Sequence, residues 1–498
     1  MHQLSSPHRR IRLKDLPTKI QGSGIDRFEF HSCSSDWKLC QPNDLYVAID
    51  QAQGDGHDHV RQAIDQGAQA ILAERIIPVD VPVFLTSDTR EAFGHICHQL
   101  CDHPTRSLQS VGVTGTSGKS TVVEMLDTIL NSAGKNPLRA TRQDWLRVSG
   151  QKTLDPITSP QVSVALSDAV AMGKSHVILE MHSEELARRA WSGVQLDVAV
   201  LTALKADFRD LHGSFDNYLR ASERLLDHLK DTGLAVIDAD DPQLRKLLDK
   251  LPYPALTYGI KHEAEIMGEV LEESPTDQLV MIHAGCDTIP VQLARPGQHF
   301  LSNALAATTS ALAVGVELVE IQKGLEAYKP AAGILEPIPQ SRTSAQVYFD
   351  QAVFPDRLRA TLSTLRKQAT GKLWCLLEVS EKLTSRHRAT MGSLLETHAH
   401  GAAISVAPNV AEVGFEAIHD VMDGYDNAGR DMVIPQLARA VDWVLAQAGR
   451  GDTILVAADA SSYSETLAEL SRSIAAPFSD ENPEAPMTLR LDDYRNDH

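Results

Sequence analysis

A glycine-rich segment at residues 110–126, SVGVTGTSGKSTVVEML, has the residue types and spacing needed to bind a phosphate. An apolar, strand-like run leads into a glycine turn, and a helical pattern follows. Glycines let backbone N–H groups face a phosphate, and the N-terminus of the helix adds positive potential. Lys119 would reach the β- and γ-phosphates, and the Ser120 hydroxyl would bind Mg²⁺. The strict phosphate-binding pattern, GxxxxGK followed by Ser or Thr, requires a glycine at position 113. Position 113 is Val in this sequence, and the glycine is Gly112 instead.

We expect this segment to bind a nucleotide, and the alternative is a glycine turn without a ligand. The residues expected to contact the nucleotide, called the phosphate loop below, are Gly115, Thr116, Ser117, Gly118, Lys119, Ser120 and Thr121.

A carboxylate ends the next apolar run, HVILE, at Glu180. In open α/β sheets ligands bind at the carboxyl ends of the strands, so this acid could hold the same Mg²⁺ as Ser120. The alternative is a carboxylate that only favours the N-terminus of the helical pattern HSEELARR. We favour the metal ligand.

Composition excludes several classes of protein. The 498 residues carry a formal net charge of −19, which argues against a general nucleic-acid binder. Six cysteines form neither a disulfide framework nor a paired zinc signature. The first residues contain no apolar run typical of a secretory signal, and no segment approaches 18 apolar residues. We therefore expect a cytoplasmic protein without membrane contact.

The elements that must position these residues fall into three blocks and a tail. In residues 1–108, strand-like runs at 43–49 and 70–74 flank a helical pattern at 58–68. Apolar runs alternate with helical patterns in the next two blocks, which indicates parallel sheets covered on both faces. The remaining boundaries are 109–333, 334–475 and a charged tail, 476–498, that we expect to be disordered. The runs of the second and third blocks are 176–181, 196–204, 233–241, 372–379, 402–408 and 452–460.

Several motifs together make the chain similar to the Mur ligases, most closely to the MurE type, over about residues 25–475. The phosphate loop GTSGKST resembles the family's GTNGKTT, TSP resembles TTP, and LEMHSEEL resembles EVSSHAL. LTALKADFRDLHGSFDNYLRASERLL resembles TNLxxDHLDxHGxxxxYxxAKxxLF, and PGQHFLSNALAA resembles GxFNxxNxLAA. The segment QPNDLYVAI also matches the family's amino-terminal block.

The resemblance implies an α/β protein with three-domain Mur ligase architecture. Residues 1–108 would form a domain like those that bind UDP-sugars, 109–333 an ATP-binding domain with a central P-loop parallel sheet, and 334–475 a Rossmann-like C-terminal ligase domain. The implied activity is ATP-dependent addition of the third amino acid to UDP-MurNAc-L-Ala-D-Glu in peptidoglycan precursor synthesis. A substrate carboxylate attacks the γ-phosphate to form an acyl phosphate, and an amine then displaces phosphate.

The chain departs from the family at the second metal. The family's metal-binding histidine is Phe208 here, and its carbamylated lysine is Ser222. A phenyl ring offers no lone pair to a metal, and a serine cannot carry a carbamate. We therefore expect one Mg²⁺, held by Ser120 and Glu180, in place of two.

The resemblance implies further site residues. Lys119, Glu180 and His212 would be catalytic, and Asn303, Asp350 and Arg388 would contact the nucleotide. The substrate would be contacted by Asp36, Thr158 and Ser159, and, from its place on the helical pattern after Glu180 and not from the resemblance, Arg189 is a further candidate to face an anionic substrate. For Arg189 a solvated helix face is an equal alternative.

Two hypotheses remain open. The first is an active carboxylate–amine ligase that uses ATP, Mg²⁺, a UDP-MurNAc-peptide-like substrate and an amino acid, and that acts as a monomer. The second is an ATP-binding Mur-like protein without ligase activity, which acts as a partner or regulator of wall synthesis. The phosphate loop supports the first, and the two lost metal ligands support the second. A P-loop kinase or unrelated ATPase is disfavoured because the amino-terminal block also matches.

Overall fold

Three sheets organise the protein. A computed structural model describes residues 3–5, 10–51, 54–149, 157–205, 212–338, 345–380, 383–406, 414–426, 431–459, 462–475 and 489–490. The strands of the three main sheets lie within residues 3–86, 109–293 and 336–490. The predicted α/β class is confirmed. Phe208 lies outside the described residues. Among the helices that the structure describes, none has both the length and the apolarity to cross a bilayer.

The N-terminal sheet has four inner parallel strands and an antiparallel strand at each edge. Its strand order is Gln3–Ser5, Ser32–Ser34, Leu45–Val47, Ala70–Ala73, Val83–Thr86 and Ile20–Gln21. Its α-helices are Val60–Asp65 and Thr89–Leu100, and the longer one buries Phe93 and Ile96, three positions apart on one face. The smaller elements are the strand pairs Ile11–Arg12 with Glu29–Phe30 and Asp50–Gln51 with Gly54–Asp55, and the 3₁₀ turns Leu13–Asp15, Trp37–Leu39, Gly56–His59 and Pro104–Arg106.

The central sheet has nine strands, and its first seven in spatial order pair in parallel. The phosphate-loop strand, Gln109–Thr114, lies between His176–Glu180 and Leu196–Leu201, so the loops after these three strands meet at one edge. The spatial order is Pro137–Ala140, His176–Glu180, Gln109–Thr114, Leu196–Leu201, Leu229–Asp238, Ala255–Gly259, Ile266–Glu273, Gln278–Ala284 and Asp287–Leu293.

The last strands of the central sheet differ from the parallel pattern predicted for this block. Ile266–Glu273, Gln278–Ala284 and Asp287–Leu293 form antiparallel hairpins. Their connections contain only a few residues, which can join antiparallel neighbours but cannot make a parallel crossover. Side chains alternate between buried and exposed along Asp287–Leu293, as expected for a sheet with one covered face.

Helices cover both faces of the parallel part of this sheet. On one face, Lys119–Ser132 packs with Gln298–Ala313 and Leu318–Ala327 around a buried apolar core. The other face is covered by further helices and by buried Trp191 and Tyr218. Further helices among the described residues of this block are Arg142–Ser149, Ser159–Ala171, Ser183–Ala187, Phe215–Glu223, Pro242–Leu248 and the 3₁₀ turn Arg224–His228.

The C-terminal sheet has five parallel strands between antiparallel edges, with an apolar core on each face. Its order is Glu336–Ile338, Gln346–Asp350, Thr453–Ala457, Leu373–Val379, Gly401–Val406, Met432–Val433 and Leu489–Arg490. Its helices are Pro355–Gln368, Ser385–His398, Gly414–Met422, Leu437–Gln447 and Tyr463–Ala475. Within the predicted tail, Leu489–Arg490 pair with Met432–Val433 at the edge of this sheet.

Candidate active site

The phosphate loop joins the strand Gln109–Thr114 to the helix Lys119–Ser132, as the sequence pattern predicts. Gly115 and Gly118 both have positive φ, of 143° and 86°. A β-carbon on Gly115 would collide with Thr202, and one on Gly118 with the amide oxygen of Asn303. The two glycines therefore allow both the turn and the close packing of the loop against its neighbours. The first N–H groups of a helix have no partner within the helix, so they remain available to an anion.

Lys119 is buried and folds back over the phosphate loop. Its ammonium donates to the carbonyl of Gly115 at 2.8 Å and lies 3.4 Å from that of Thr116. Burial lowers the pKa of Lys119, although the nearby Glu180 carboxylate opposes this effect. The loop carbonyls thus hold a cation beside the loop N–H groups that would receive a phosphate.

Glu180 and Ser120 form the candidate metal site. The Ser120 hydroxyl donates to Glu180 Oε1 at 2.9 Å, and the Arg142 backbone N–H donates to Oε2 at 3.1 Å. Burial alone would raise the pKa of Glu180, but His182, with Nε2 3.3 Å from Oε1, and the charge of Lys119 lower it to about 2. The carboxylate is therefore ionised and held in place.

These oxygens fit a hydrated Mg²⁺. Magnesium prefers oxygen ligands and is commonly held by one or two carboxylates together with waters and substrate phosphates. Within the described residues, no cluster of three or more His, Cys, Asp or Glu side chains could hold a metal ion. The Ser120–Glu180 pair therefore fits a Mg²⁺ whose remaining ligands come from the nucleotide phosphates and water, and not a site made only of protein ligands.

The segment after Leu196–Leu201 borders the other side of the phosphate loop. The Thr202 hydroxyl donates to the carbonyl of Ser117 at 2.9 Å. Thr116 Oγ1 lies 2.8 Å from the phenolic oxygen of Tyr218, which is fully buried. Sequence reasoning missed the role of Thr202. Its only local signal is that it directly follows a strand of the same sheet.

Two of the family-implied positions lie around Tyr218. Ser222 is fully buried, and its hydroxyl donates to the carbonyl of Tyr218 at 3.0 Å, so this oxygen is engaged within the helix. His212 Nε2 lies 3.0 Å from Ser183 Oγ, and burial lowers the pKa of His212. A neutral imidazole can accept or donate a proton but does not supply the charge of a second metal.

The residues predicted to contact the substrate are placed at starts of helical turns. Thr158 and Gln161 form a capping box at the start of Ser159–Ala171, and Ser159 is buried there. Asp36 accepts the backbone N–H of Lys38 at 3.0 Å and caps a 3₁₀ turn. These contacts hold the local backbone, and they leave the substrate-binding role of the three residues a prediction.

Arg189 lies beside carboxylates of the N-terminal domain. Its guanidinium lies 3.3 Å from Asp88 Oδ2 and 3.6 Å from Glu91 Oε2, so it joins the central domain to the N-terminal domain. The helix ends at Ala187, and Arg189 has a positive φ of 60°. Arg189 therefore lies beyond the helix end and is paired with carboxylates, and its contact with the substrate stays a prediction.

Asn303, one of the three further residues predicted to contact the nucleotide, lies against the phosphate loop at Gly118. Asp350 is buried and accepts the Leu335 N–H at 2.9 Å and the Arg357 guanidinium at 2.7 Å. Burial raises the pKa of Asp350, but the charge of Arg357 outweighs this and lowers it.

Arg388 is likewise engaged inside the C-terminal domain. Its guanidinium pairs with Asp420 at 2.7 Å and donates to the carbonyl of Leu383. Arg388 and Asp350 thus have partners within the C-terminal domain, and their contact with the nucleotide stays a prediction. The Asp350 carboxylate is paired with Arg357, and the Arg388 guanidinium is paired with Asp420 on another helix.

Comparison with known proteins defines the class. The model of the Mur ligase middle domain matches residues 113–311, and that of the Mur ligase glutamate ligase domain matches residues 335–460. The two together match more than half of the chain. The protein belongs to the Mur ligase family.

Curated relatives match almost the full length. The chain is 27% identical over 462 residues to the UDP-N-acetylmuramoyl-L-alanyl-D-glutamate–2,6-diaminopimelate ligase of Geobacillus thermodenitrificans, covering 90% of this chain and 94% of the relative. It is 28% identical over 429 residues to the UDP-N-acetylmuramyl-tripeptide synthetase of Deinococcus radiodurans, covering 84% and 87%.

Solved structures share the fold. A UDP-N-acetylmuramoyl-L-alanyl-D-glutamate–2,6-diaminopimelate ligase superposes with a TM-score of 0.65 at 21% identity, covering 89% of this chain and 94% of that one. MurF ligase from Thermotoga maritima, solved in complex with ADP, gives a TM-score of 0.61 at 19% identity, covering 89% and 97%. The three-domain Mur ligase fold is thereby confirmed.

Proposed function

We propose that the protein is an ATP-dependent carboxylate–amine ligase that extends a UDP-MurNAc-peptide by one amino acid. The observation that carries the proposal is the ionised Glu180 beside Ser120 and the phosphate loop, at the carboxyl edge of the central sheet. The names of the Geobacillus and Deinococcus relatives support the substrate class and the tripeptide product.

The chain's own residues supply binding and charge. Backbone N–H groups of the phosphate loop and the Lys119 ammonium would hold the phosphates, which is the main protein contribution in phosphoryl transfer. Ser120 and Glu180 would hold Mg²⁺, which neutralises charge between an anionic nucleophile and the triphosphate when bound. A substrate carboxylate oxygen then bonds to the γ-phosphorus as the bond to ADP breaks, and an amine subsequently displaces phosphate to form the amide.

His212 is a candidate for handling the proton of the attacking amine. It is near Ser183 and Tyr218, and its lowered pKa keeps the imidazole neutral at pH 7. A neutral imidazole can accept a proton from an ammonium group that becomes acidic on bond formation. The assignment makes His212 the base of the second step and leaves the first step to Lys119 and the metal site.

The rate of ligation is expected to be limited by the lack of a second metal. The family-like second metal site has lost its lysine at Ser222, whose hydroxyl is engaged with the Tyr218 carbonyl. We therefore propose a ligase with one Mg²⁺ and slow turnover with diaminopimelate or lysine. Asp36, Thr158 and Ser159 would contact the UDP-sugar substrate. The six cysteines are free thiols, which is typical of a reducing compartment and supports a cytoplasmic site of action.

The decisive experiment measures phosphate release and peptide product together. The protein is incubated with ATP, Mg²⁺, UDP-MurNAc-L-Ala-D-Glu and each of the amino acids in turn, and the products are identified by mass spectrometry. We expect ADP, phosphate and one UDP-MurNAc-tripeptide in equal amounts. Lys119→Ala is the inactive control. If the protein binds ATP but releases no phosphate with any of the amino acids, the non-catalytic alternative is favoured.

A further inference from the structure

Lys205 is anchored beside the phosphate loop by its own backbone. Its N–H donates to Thr116 Oγ1 at 2.7 Å, and the Thr116 N–H donates to the carbonyl of Ala203 at 2.9 Å. The backbone at residues 203–205 is therefore fixed to the phosphate loop by hydrogen bonds to Thr116. The Lys205 side chain starts from a fixed position next to the loop that would hold the phosphates.

The Lys205 ammonium faces the C-terminal domain. Its Nζ lies 3.7 Å from Oδ2 of Asp356, in the first turn of the helix Pro355–Gln368. This distance is too long for a hydrogen bond, and the Lys205 side chain is 46% exposed. Such a pair contributes little to stability, so the ammonium can leave Asp356 easily.

Charged and titratable groups from three elements surround this ammonium. Burial lowers the pKa of His299 to about 4; the charge of Asp350 opposes this effect, and the charges of Arg357 and Lys205 add to it. Burial raises the pKa of Asp238 to about 7, and the charge of Lys205 opposes that rise. The Lys205 ammonium therefore acts on charged groups of the central domain and lies 3.7 Å from Asp356 of the C-terminal domain.

We propose that Lys205 is a phosphate-binding residue, which exchanges Asp356 for the terminal phosphate when a nucleoside triphosphate occupies the phosphate loop. The inference rests on the proposed function only in taking the ligand to be a triphosphate. A triphosphate would present several negative charges at the phosphate loop, whereas Asp356 presents one, so Coulomb attraction favours the nucleotide as the partner of the half-exposed Lys205 ammonium.

The exchange would supply charge that the described site otherwise lacks. Lys119 belongs to the phosphate loop and donates to its Gly115 carbonyl. Lys205 follows the neighbouring strand Leu196–Leu201, and its backbone N–H donates to Thr116 of the loop. A positive charge at the transferring phosphoryl group shields it from an anionic nucleophile and stabilises the transition state. Ser222 cannot provide such a charge, because its hydroxyl is neutral and bonded to a backbone carbonyl.

The proposal predicts opposite effects for the two members of the pair. Lys205→Gln removes the charge at similar length and should weaken binding of a non-hydrolysable ATP analogue about tenfold, the usual size of a charged hydrogen bond. ADP binding should change less than twofold, because ADP lacks the terminal phosphate. Asp356→Asn removes the carboxylate that competes with the phosphate for Lys205. It should tighten binding of the ATP analogue about two- to threefold, the size expected for an exposed ion pair.

The test is calorimetric titration of the full-length protein with Mg²⁺ and either the ATP analogue or ADP. Lys135→Gln, an exposed lysine at the far end of the helix Lys119–Ser132, is the matched control and should bind both as wild type does. The double variant at 205 and 356 should behave as Lys205→Gln alone. Thermal unfolding of each variant checks that it is folded.

The outcomes separate the two proposals. If wild type binds no nucleotide, the proposed function fails and this inference with it. If wild type binds the ATP analogue and Lys205→Gln binds it equally well, only the inference fails. If Asp356→Asn weakens binding as Lys205→Gln does, the pair is a contact between domains without exchange, and the inference is overturned.

Discussion

Replacing Glu180 by glutamine tests the electrostatics of the metal site. The change removes one charge and keeps the shape, the buried position and a hydrogen-bond acceptor for Ser120. Because Glu180 is only 3% exposed, water cannot replace the lost interactions. The variant should therefore lose both metal affinity and part of the stability of the strand His176–Glu180.

The size of the effect follows from the pKa. A pKa of about 2 against an ordinary 4.5 corresponds to about 3 kcal/mol in favour of the ionised form, at about 1.4 kcal/mol for each tenfold change. Since the folded pKa lies below the unfolded one, this stabilisation is present above about pH 4.5 and is lost as pH falls towards 2. Glu180→Gln should thus be less stable than wild type by up to about 3 kcal/mol at pH 7, with a smaller difference at pH 3.

Hydrogen exchange of the strand His176–Glu180 measures this locally, which matters because three domains need not unfold together. The exposed Glu263→Gln is the matched control and should equal wild type at both pH values. A difference between Glu180→Gln and wild type that is as large at pH 3 as at pH 7 would refute the electrostatic reasoning. So would unchanged Mg²⁺-dependent nucleotide binding.

Other changes probe the rest of the site. Lys119→Ala should weaken ATP binding by about tenfold or more, because it removes a charged phosphate contact, and calorimetry measures this. Asp238→Asn should stabilise the protein more at pH 8 than at pH 5, because the raised pKa of about 7 makes ionisation of the buried acid unfavourable; urea unfolding at both pH values checks the sign. Phe208→His combined with Ser222→Lys should add a second bound Mg²⁺ and raise the ligase rate, whereas Ser222→Lys alone should do neither, as metal titration and product formation will show.

The phosphate loop and Glu180 could be predicted because their signals are local. A strand, a glycine turn and a helix follow one another between residues 109 and 132, and a carboxylate at a strand end needs only the parallel pairing of Val113 with Glu180 to reach Ser120. The same local rule, that strand ends meet at one sheet edge, would also have singled out Thr202.

Features that depend on distant partners could not be predicted from the sequence. Arg189 follows a helix that ends two residues earlier, and its carboxylate partners belong to another domain. Arg388 pairs with Asp420 across two helices, a contact that no spacing in the sequence encodes. The antiparallel hairpins after Ile266 were missed because short apolar runs do not reveal strand direction. Side-chain pairing between elements is a property of the tertiary structure.

Isotope transfer tests the central claim most directly, that a substrate carboxylate attacks ATP to form an acyl phosphate. UDP-MurNAc-L-Ala-D-Glu labelled with ¹⁸O in the reacting carboxyl group is incubated with ATP, Mg²⁺ and the amino acid that supports turnover. The account predicts one ¹⁸O atom in each phosphate released, because the amine displaces the phosphate together with the carboxylate oxygen that attacked it. Phosphate released without the label would show that water attacks ATP, and would contradict the account.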